Sequence, residues 1–394
     1  MTVGALRVAI VAGETSGDQL GAALIAALRV RCPALEVRGV CGPLMRAAGC
    51  MPLADAQELA LMGLVEVVRH LPRLLMLRRR LRRDLHAWQP DVFIGIDAPE
   101  FNLGLAAQLH ATGIKTVQYV SPQVWAWRRR RVHRIAQQCD LVLCLLPFEP
   151  AFYAQHAVQA QFVGHPLADQ IPLDVDRAAA RRALALKADS TVVALLPGSR
   201  TGEVSRLSAD FVAAARALRR ARPEIELIAP MASAAVRNIF AAAAQAGDAV
   251  GIRLLDGQAR LALQAADVAL VASGTATLEA LLCRCPMVVA YRLGAMTAFL
   301  LRTLRLVKLP YFSLPNLLAG ERLVPEFFQG EVSGERLAAA MQSQLEELPQ
   351  RAALSARFRL IHQSLRQGGA GKAAEAILAL IGTDFRPTAP VRAR

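Results

Sequence analysis

Short apolar, β-branched runs alternate along this chain with Ala-, Leu- and Arg-rich stretches of helical period, and the alternation runs through twice. In the first pass Leu6–Ala12, Leu35–Val40, Val92–Ile96, Lys115–Val120, Leu141–Leu145 and Gln161–Val163 are predicted strands. In the second they are Thr191–Leu196, Glu226–Ala229, Ile252–Leu255, Val268–Val271 and Met287–Ala290. Strands that are apolar on both faces belong in parallel sheets covered by helices on both sides. The expected fold is therefore α/β, with two Rossmann-like doubly wound domains. The joint falls where His165-Pro166 and Ile171-Pro172 interrupt the pattern. The expected divisions are residues 1–168, 169–350, helices over 351–382 and a loose tail over 383–394.

Composition narrows the partners. The 394 residues are 54% apolar and 20% charged, enough to build cores and too apolar for wholesale disorder. A net charge of +14 calls for an anionic partner: nucleic acid, a membrane surface or a phosphorylated substrate. Aromatic residues make up only 5%, few for a surface that stacks single-stranded bases, and no nucleic-acid-binding motif is present. Seven cysteines include no CxxC pair and no zinc-ligand spacing, as expected of small buried residues in a reducing cytoplasm. Val8–Ala12 is too short for a signal peptide, and Leu293–Phe312 is broken by Arg302, Arg305 and Lys308. A soluble or peripheral protein is expected.

Ligands of open α/β sheets bind at the carboxyl ends of strands. The first strand ends in Ala12-Gly13-Glu14-Thr15-Ser16-Gly17-Asp18, where Glu14 would repel a pyrophosphate and favour a hydroxyl-bearing ligand. Capping of the following helix by Ser16 or Asp18 is the plainer reading. Asp97, at the mouth of Ile94-Gly95-Ile96, is a candidate general base, with helix capping as its alternative. Leu196-Pro197-Gly198-Ser199-Arg200 ends a strand before a helix and sets Arg200 beside backbone donors, where a diphosphate would sit. Ser273-Gly274-Thr275-Ala276-Thr277 is a small-residue turn whose amides can approach a diphosphate, with Glu279 one helical turn on, within reach of ribose hydroxyls.

Together with Ser121-Pro122-Gln123-Val124-Trp125-Ala126-Trp127, Phe162-Val163-Gly164-His165-Pro166-Leu167 and Leu314-Pro315-Asn316-Leu317-Leu318, these segments resemble the lipid-A-disaccharide synthase family, in order along nearly the whole chain. The resemblance implies a glycosyltransferase-B fold with the active site in the cleft between two domains, the C-terminal helices packing back towards the first. It implies an inverting hexosyltransferase that needs no cofactor and no metal ion. The donor would be UDP-2,3-diacylglucosamine and the acceptor the 6-hydroxyl of 2,3-diacylglucosamine 1-phosphate (lipid X). The products would be a β(1′→6) tetraacyl disaccharide 1-phosphate and UDP. Asp97 becomes the expected base, with Glu14 as second candidate, and Arg200 the leaving-group stabiliser. Gly198, Ser199, Ser273, Gly274, Thr275, Ala276, Thr277, Glu279 and Asn316 become donor contacts, and His165 a hinge residue. Another UDP-sugar enzyme of the same fold, an epimerase or a membrane-associated transferase, is the alternative.

The apolar stretch Leu61–Leu77 runs into Arg78-Arg79-Arg80-Leu81-Arg82-Arg83. Alone it reads as a buried helix followed by a solvated charge run. With acylated substrates it reads as an interfacial anchor, with Val65, Val67, Val68, Leu71, Leu74, Leu75 and Leu77 touching membrane or acyl chains. A second basic run, Arg128–Arg131 with Arg134, follows two tryptophans and suits a lipid phosphate. The resemblance places the protein at the cytoplasmic face of the inner membrane and permits a homodimer.

Overall fold

The computed structural model describes residues 5–60, 67–127, 131–247, 251–294 and 310–382. The chain forms two compact units, one of the residues up to Asp169 plus the chain from Leu365 on, the other Gln170–Ser364.

The first unit is built on seven strands: β1 (Leu6–Ala12), β2 (Leu35–Cys41), β3 (Cys50–Asp55), β4 (Val92–Ile96), β5 (Lys115–Tyr119), β6 (Leu141–Cys144) and β7 (Ala160–Phe162). They pair in parallel in the order β3-β2-β1-β4-β5-β6-β7, so the winding reverses between β1 and β4. The pleat sends alternate side chains to opposite faces. Val8, Ile10 and Ala12 of β1 therefore pack with Leu24, Ile25 and Leu28 of the Thr15–Arg31 helix, while Ala9 and Val11 join the opposite core. That second core is closed by the helices Val67–Trp88 and Pro99–His110, through Leu81, Leu85, Leu105 and Leu109.

The second unit has six parallel strands: β8 (Val192–Leu196), β9 (Glu226–Met231), β10 (Arg253–Asp256), β11 (Val268–Ala272), β12 (Met287–Tyr291) and β13 (Glu326–Phe328). Their order, β10-β9-β8-β11-β12-β13, repeats the same reversal between β8 and β11. Helix Thr201–Ala221 buries Val204, Leu207, Phe211 and Leu218 against the sheet, beside Leu337, Met341 and Leu345 of helix Gly334–Glu346.

Two strands lie outside the apolar pattern. β3 is an edge strand with Met51 and Pro52 exposed, and edges tolerate proline and need no apolar face. β13 is three residues long, at the far edge of its sheet. Asp97 consequently ends the fourth strand of its sheet by sequence, where the pattern predicted the third. The return to the first unit comes at Leu365 and not at residue 351. Helix Leu348–Leu365 is tied to the second unit, Arg351 donating to the Asp267 carbonyl at 3.2 Å and Arg359 pairing with Asp174 at 2.8 Å. Helix Gly369–Leu380 then inserts Ala373, Ala374 and Ile377 into the first core. The tail over 383–394 lies outside the described residues.

Candidate active site

In the second unit a cavity of about 360 Å³ opens at the β8/β11 switch point. Its walls include Gly198, Ser199, Arg200, Ser273, Gly274, Thr275, Ala276 and Glu279, eight of the ten residues expected to contact the donor. Gly198 has φ +125°, and a Cβ there would collide with the Glu203 carboxylate, so only glycine serves. The Glu203 carboxylate lies against the loop where a Cβ at position 198 would be, and burial pushes its pKa up while the nearby Ser199 and Arg200 amides pull it down. Arg200 is the exposed N-cap of helix Thr201–Ala221. Gly274 (φ +155°) is the N-cap of helix Thr275–Leu282, and a Cβ added there would meet nothing within 4 Å. Free amides at that helix start therefore face open space, as an anion site requires. Glu279 lies 3.8 Å from Arg260, and burial raises its pKa.

Two expected donor contacts, outside the cavity wall, are engaged within the protein. Asn316 is fully buried, its Oδ1 accepting the Leu323 and Val324 amides at 2.8 and 2.9 Å and its Nδ2 donating to the Val324 carbonyl. Thr277 is also fully buried, its hydroxyl donating to the Gly274 carbonyl at 2.7 Å. Amide and hydroxyl alike hold their own loops in place.

In the first unit the carboxyl ends of β1 and β4 lie side by side, Ala12 opposite Ile96. Glu14 is exposed and is the backbone N-cap of helix Thr15–Arg31, with no side-chain cap bond. Asp18 does not cap its own helix; its buried carboxylate accepts the Gly42, Leu44 and Met45 amides and closes the N-terminus of Pro43–Ala47. Asp97 is half-buried, and burial raises its pKa from the ordinary aspartate value. Ala98, not Asp97, is the N-cap of helix Pro99–His110. His165, expected as a hinge residue, accepts the Leu167 amide on Nδ1 at 3.2 Å, at the start of helix Pro166–Gln170.

The expected apolar anchor is also corrected in part. Leu74 and Leu77 are 8% and 7% exposed and pack in the core with Leu81 and Leu85, one stripe of helix Val67–Trp88. Leu75 is half-buried. The opposite stripe, Arg73, Met76, Arg79, Arg80, Arg82 and Arg83, faces outward. Val65 lies outside the described residues, as do Arg128–Arg130; Val67, Val68 and Leu71 belong to the helix's first turns. Arg131 forms a bidentate pair with Glu100 at 2.5 and 2.6 Å, so its charge is already matched. Among the described residues no helix is long and apolar enough to cross a membrane, and no cluster of His, Cys, Asp or Glu could hold a metal ion.

Solved structures share this architecture across almost the whole chain. The glycosyltransferase of kitacinnamycin matches with TM-score 0.62 at 16% identity, covering 96% of this chain and 99% of its own. The UDP-GlcNAc 2-epimerase of Neisseria meningitidis matches with TM-score 0.61 at 12% identity, covering 96% and 100%. The fold is that of the glycosyltransferase-B class, two doubly wound units in one chain. A family profile described as lipid-A-disaccharide synthetase matches residues 8–380. Lipid-A-disaccharide synthases of Sodalis glossinidius and Pseudomonas aeruginosa are 52% and 51% identical, over 97% and 95% of this chain and 100% and 98% of their own lengths. The chain belongs to the lipid-A-disaccharide synthase family, glycosyltransferases of lipid A biosynthesis.

Proposed function

We propose that the chain transfers 2,3-diacylglucosamine from its UDP donor to the 6-hydroxyl of 2,3-diacylglucosamine 1-phosphate, with inversion at the anomeric carbon. The observation that carries this reading is the cavity at the β8/β11 switch point, which combines free amides, a cationic side chain and a carboxylate suited to ribose. Asp97 takes the proton of the acceptor hydroxyl as its oxygen bonds to the donor C1. The bond from C1 to the diphosphate oxygen breaks, and its electron pair leaves with UDP. Arg200 and the amides of Gly274, Thr275 and Ala276, left over once the Ser273 and Thr277 amides bond the Ala290 and Gly274 carbonyls, meet the charge that develops there. Glu14, exposed beside Asp97, orients the acceptor. Incubating the protein with both acylated sugars, and separately with unacylated UDP-GlcNAc, tests this by mass spectrometry. A disaccharide and UDP from the acylated pair alone are expected. Epimerised UDP-GlcNAc with no disaccharide would support the alternative UDP-sugar enzyme.

The enzyme would reach its lipids by docking peripherally on the anionic cytoplasmic face of the inner membrane. Support comes from the outward arginine stripe of helix Val67–Trp88, each residue worth roughly 1 kcal/mol near an anionic leaflet. Replacing Arg79 and Arg82 by Glu should lower partitioning onto anionic vesicles by about tenfold or more and leave UDP affinity unchanged. Unaltered partitioning sinks this mode of docking.

A further inference from the structure

The turns that follow β4 and β5 are both left-handed without glycine. Asp97 has φ +52°, Ala98 +40° and, on the adjacent strand, Val120 +73°. A β-branched residue in that region is an outlier, and each such residue costs about 1–3 kcal/mol. Glycine would remove the strain, but at position 97 it would also remove the carboxyl group.

Two buried side-chain amides converge on these turns. Asn102 Nδ2 donates to the Asp97 carbonyl at 2.8 Å and lies 3.2 Å from the Ile96 carbonyl and 3.4 Å from that of Val11. Gln118 Nε2 reaches the same Asp97 carbonyl at 3.1 Å, and the Val120 and Tyr119 carbonyls at 3.3 and 3.4 Å. Asn102 is 0% and Gln118 1% exposed. Room for Asn102 exists because residue 95, in the middle of β4, is glycine; a Cβ there would come within 2.6 Å of the Asn102 Cβ. The Asn102 Oδ1 is buried with no hydrogen-bond partner. An unmet buried acceptor costs roughly 1–3 kcal/mol, so this pair is a poor way merely to fill a core.

We propose that Gln118 and Asn102 are positioning residues, a two-amide clamp that grips the Asp97 carbonyl and thereby aims the Asp97 carboxyl group for proton transfer. The clamp ties the ends of β1, β4 and β5 into one unit, so the direction of the Asp97 side chain is set by one donor five residues on and another 21 residues on, from the adjacent strand. It rests on the assignment of Asp97 as base, and the test separates the two.

Turnover, donor KM, UDP affinity and the pH dependence of kcat/KM are to be measured for Gln118→Leu, Gln118→Glu, Asn102→Ser and Asp97→Asn. A carboxyl group displaced by about 1 Å loses on the order of 100-fold in rate. Gln118→Leu should therefore lower kcat by about that factor with donor KM and UDP affinity unchanged. Its acid limb should move to lower pH as Asp97 gains water and its raised pKa relaxes. Gln118→Glu keeps the length and, as a neutral acid, one donor; it should recover part of the rate in acid and lose it again as pH rises. If Gln118→Leu does not fold, Asn102→Ser, with a weaker donor in a smaller side chain, carries the same readouts. Wild-type kcat and an unmoved acid limb in the folded amide variants, with Asp97→Asn inactive, would overturn the clamp alone. Turnover in Asp97→Asn overturns the base assignment and the clamp with it.

Discussion

Asp97 and Arg200 answer different demands, and their loss should look different. Asp97 must be ionised to accept a proton, and burial raises its pKa. Activity should therefore fall with decreasing pH sooner than an ordinary carboxylate would dictate. Asp97→Asn should abolish transfer while UDP affinity, measured by calorimetry, stays within about twofold. Arg200→Ala removes a donor to the developing diphosphate charge and should cost about 3–4 kcal/mol of barrier, roughly 100- to 1000-fold in kcat. An effect confined to acceptor KM would count against that placement. Both positions stand out in the sequence because Asp97 directly follows an apolar strand and Arg200 ends the short Pro197-Gly198-Ser199 turn after another. The engagement of Asn316 with the Val324 backbone, and of Thr277 with the Gly274 carbonyl three residues before it, was not legible, because burial decides which partner each side chain takes.

Segments show the same division. Helix Val67–Trp88 carries apolar residues and arginines in succession, and only its packing against helix Pro99–His110 decides that Leu74 and Leu77 turn inward while Met76, 62% exposed, turns out. Replacing Leu74 or Leu77 by Ser would thus report on folding and not on membrane contact. The loop after β6 holds Glu149, 3% exposed, which accepts Trp125 Nε1–H and the Leu146 amide, each at 3.0 Å. Burial raises its pKa from 4.5 to about 7. The folded protein thus binds this proton more tightly than the unfolded chain does. The resulting stabilisation is full below pH 4.5 and is lost as pH rises through about 7, a contribution of about 3 kcal/mol. Urea midpoints taken at pH 5 and pH 8 should fall further in the wild type than in Glu149→Gln. Equal slopes would mean that Glu149 titrates normally.

Across the whole chain, the first unit is not contiguous. Helix Gly369–Leu380 completes its core, with Ile377 fully buried beside the residues of β1 and helix Thr15–Arg31. Ile377→Ala should cost about 2–5 kcal/mol. Hydrogen exchange should quicken in β1, β2 and helix Thr15–Arg31, with β8 and β11 unchanged and UDP affinity intact. Uniform loosening of both sheets would contradict a division into units at Leu365.

The doubled α/β pattern, the strand ends that carry Glu14, Asp97, Arg200 and Ser273, and the glycines at 198 and 274 were all readable from the chain. Each depends on local period or on backbone freedom within a few residues. Tertiary structure decided the rest. It chose the inward stripe of the basic helix, spent Asp18, Thr277 and Asn316 on backbone amides and carbonyls, and brought Asn102 and Gln118 onto one carbonyl. Those outcomes turn on burial and packing, because a polar group removed from water must take whichever donor or acceptor the fold delivers to it.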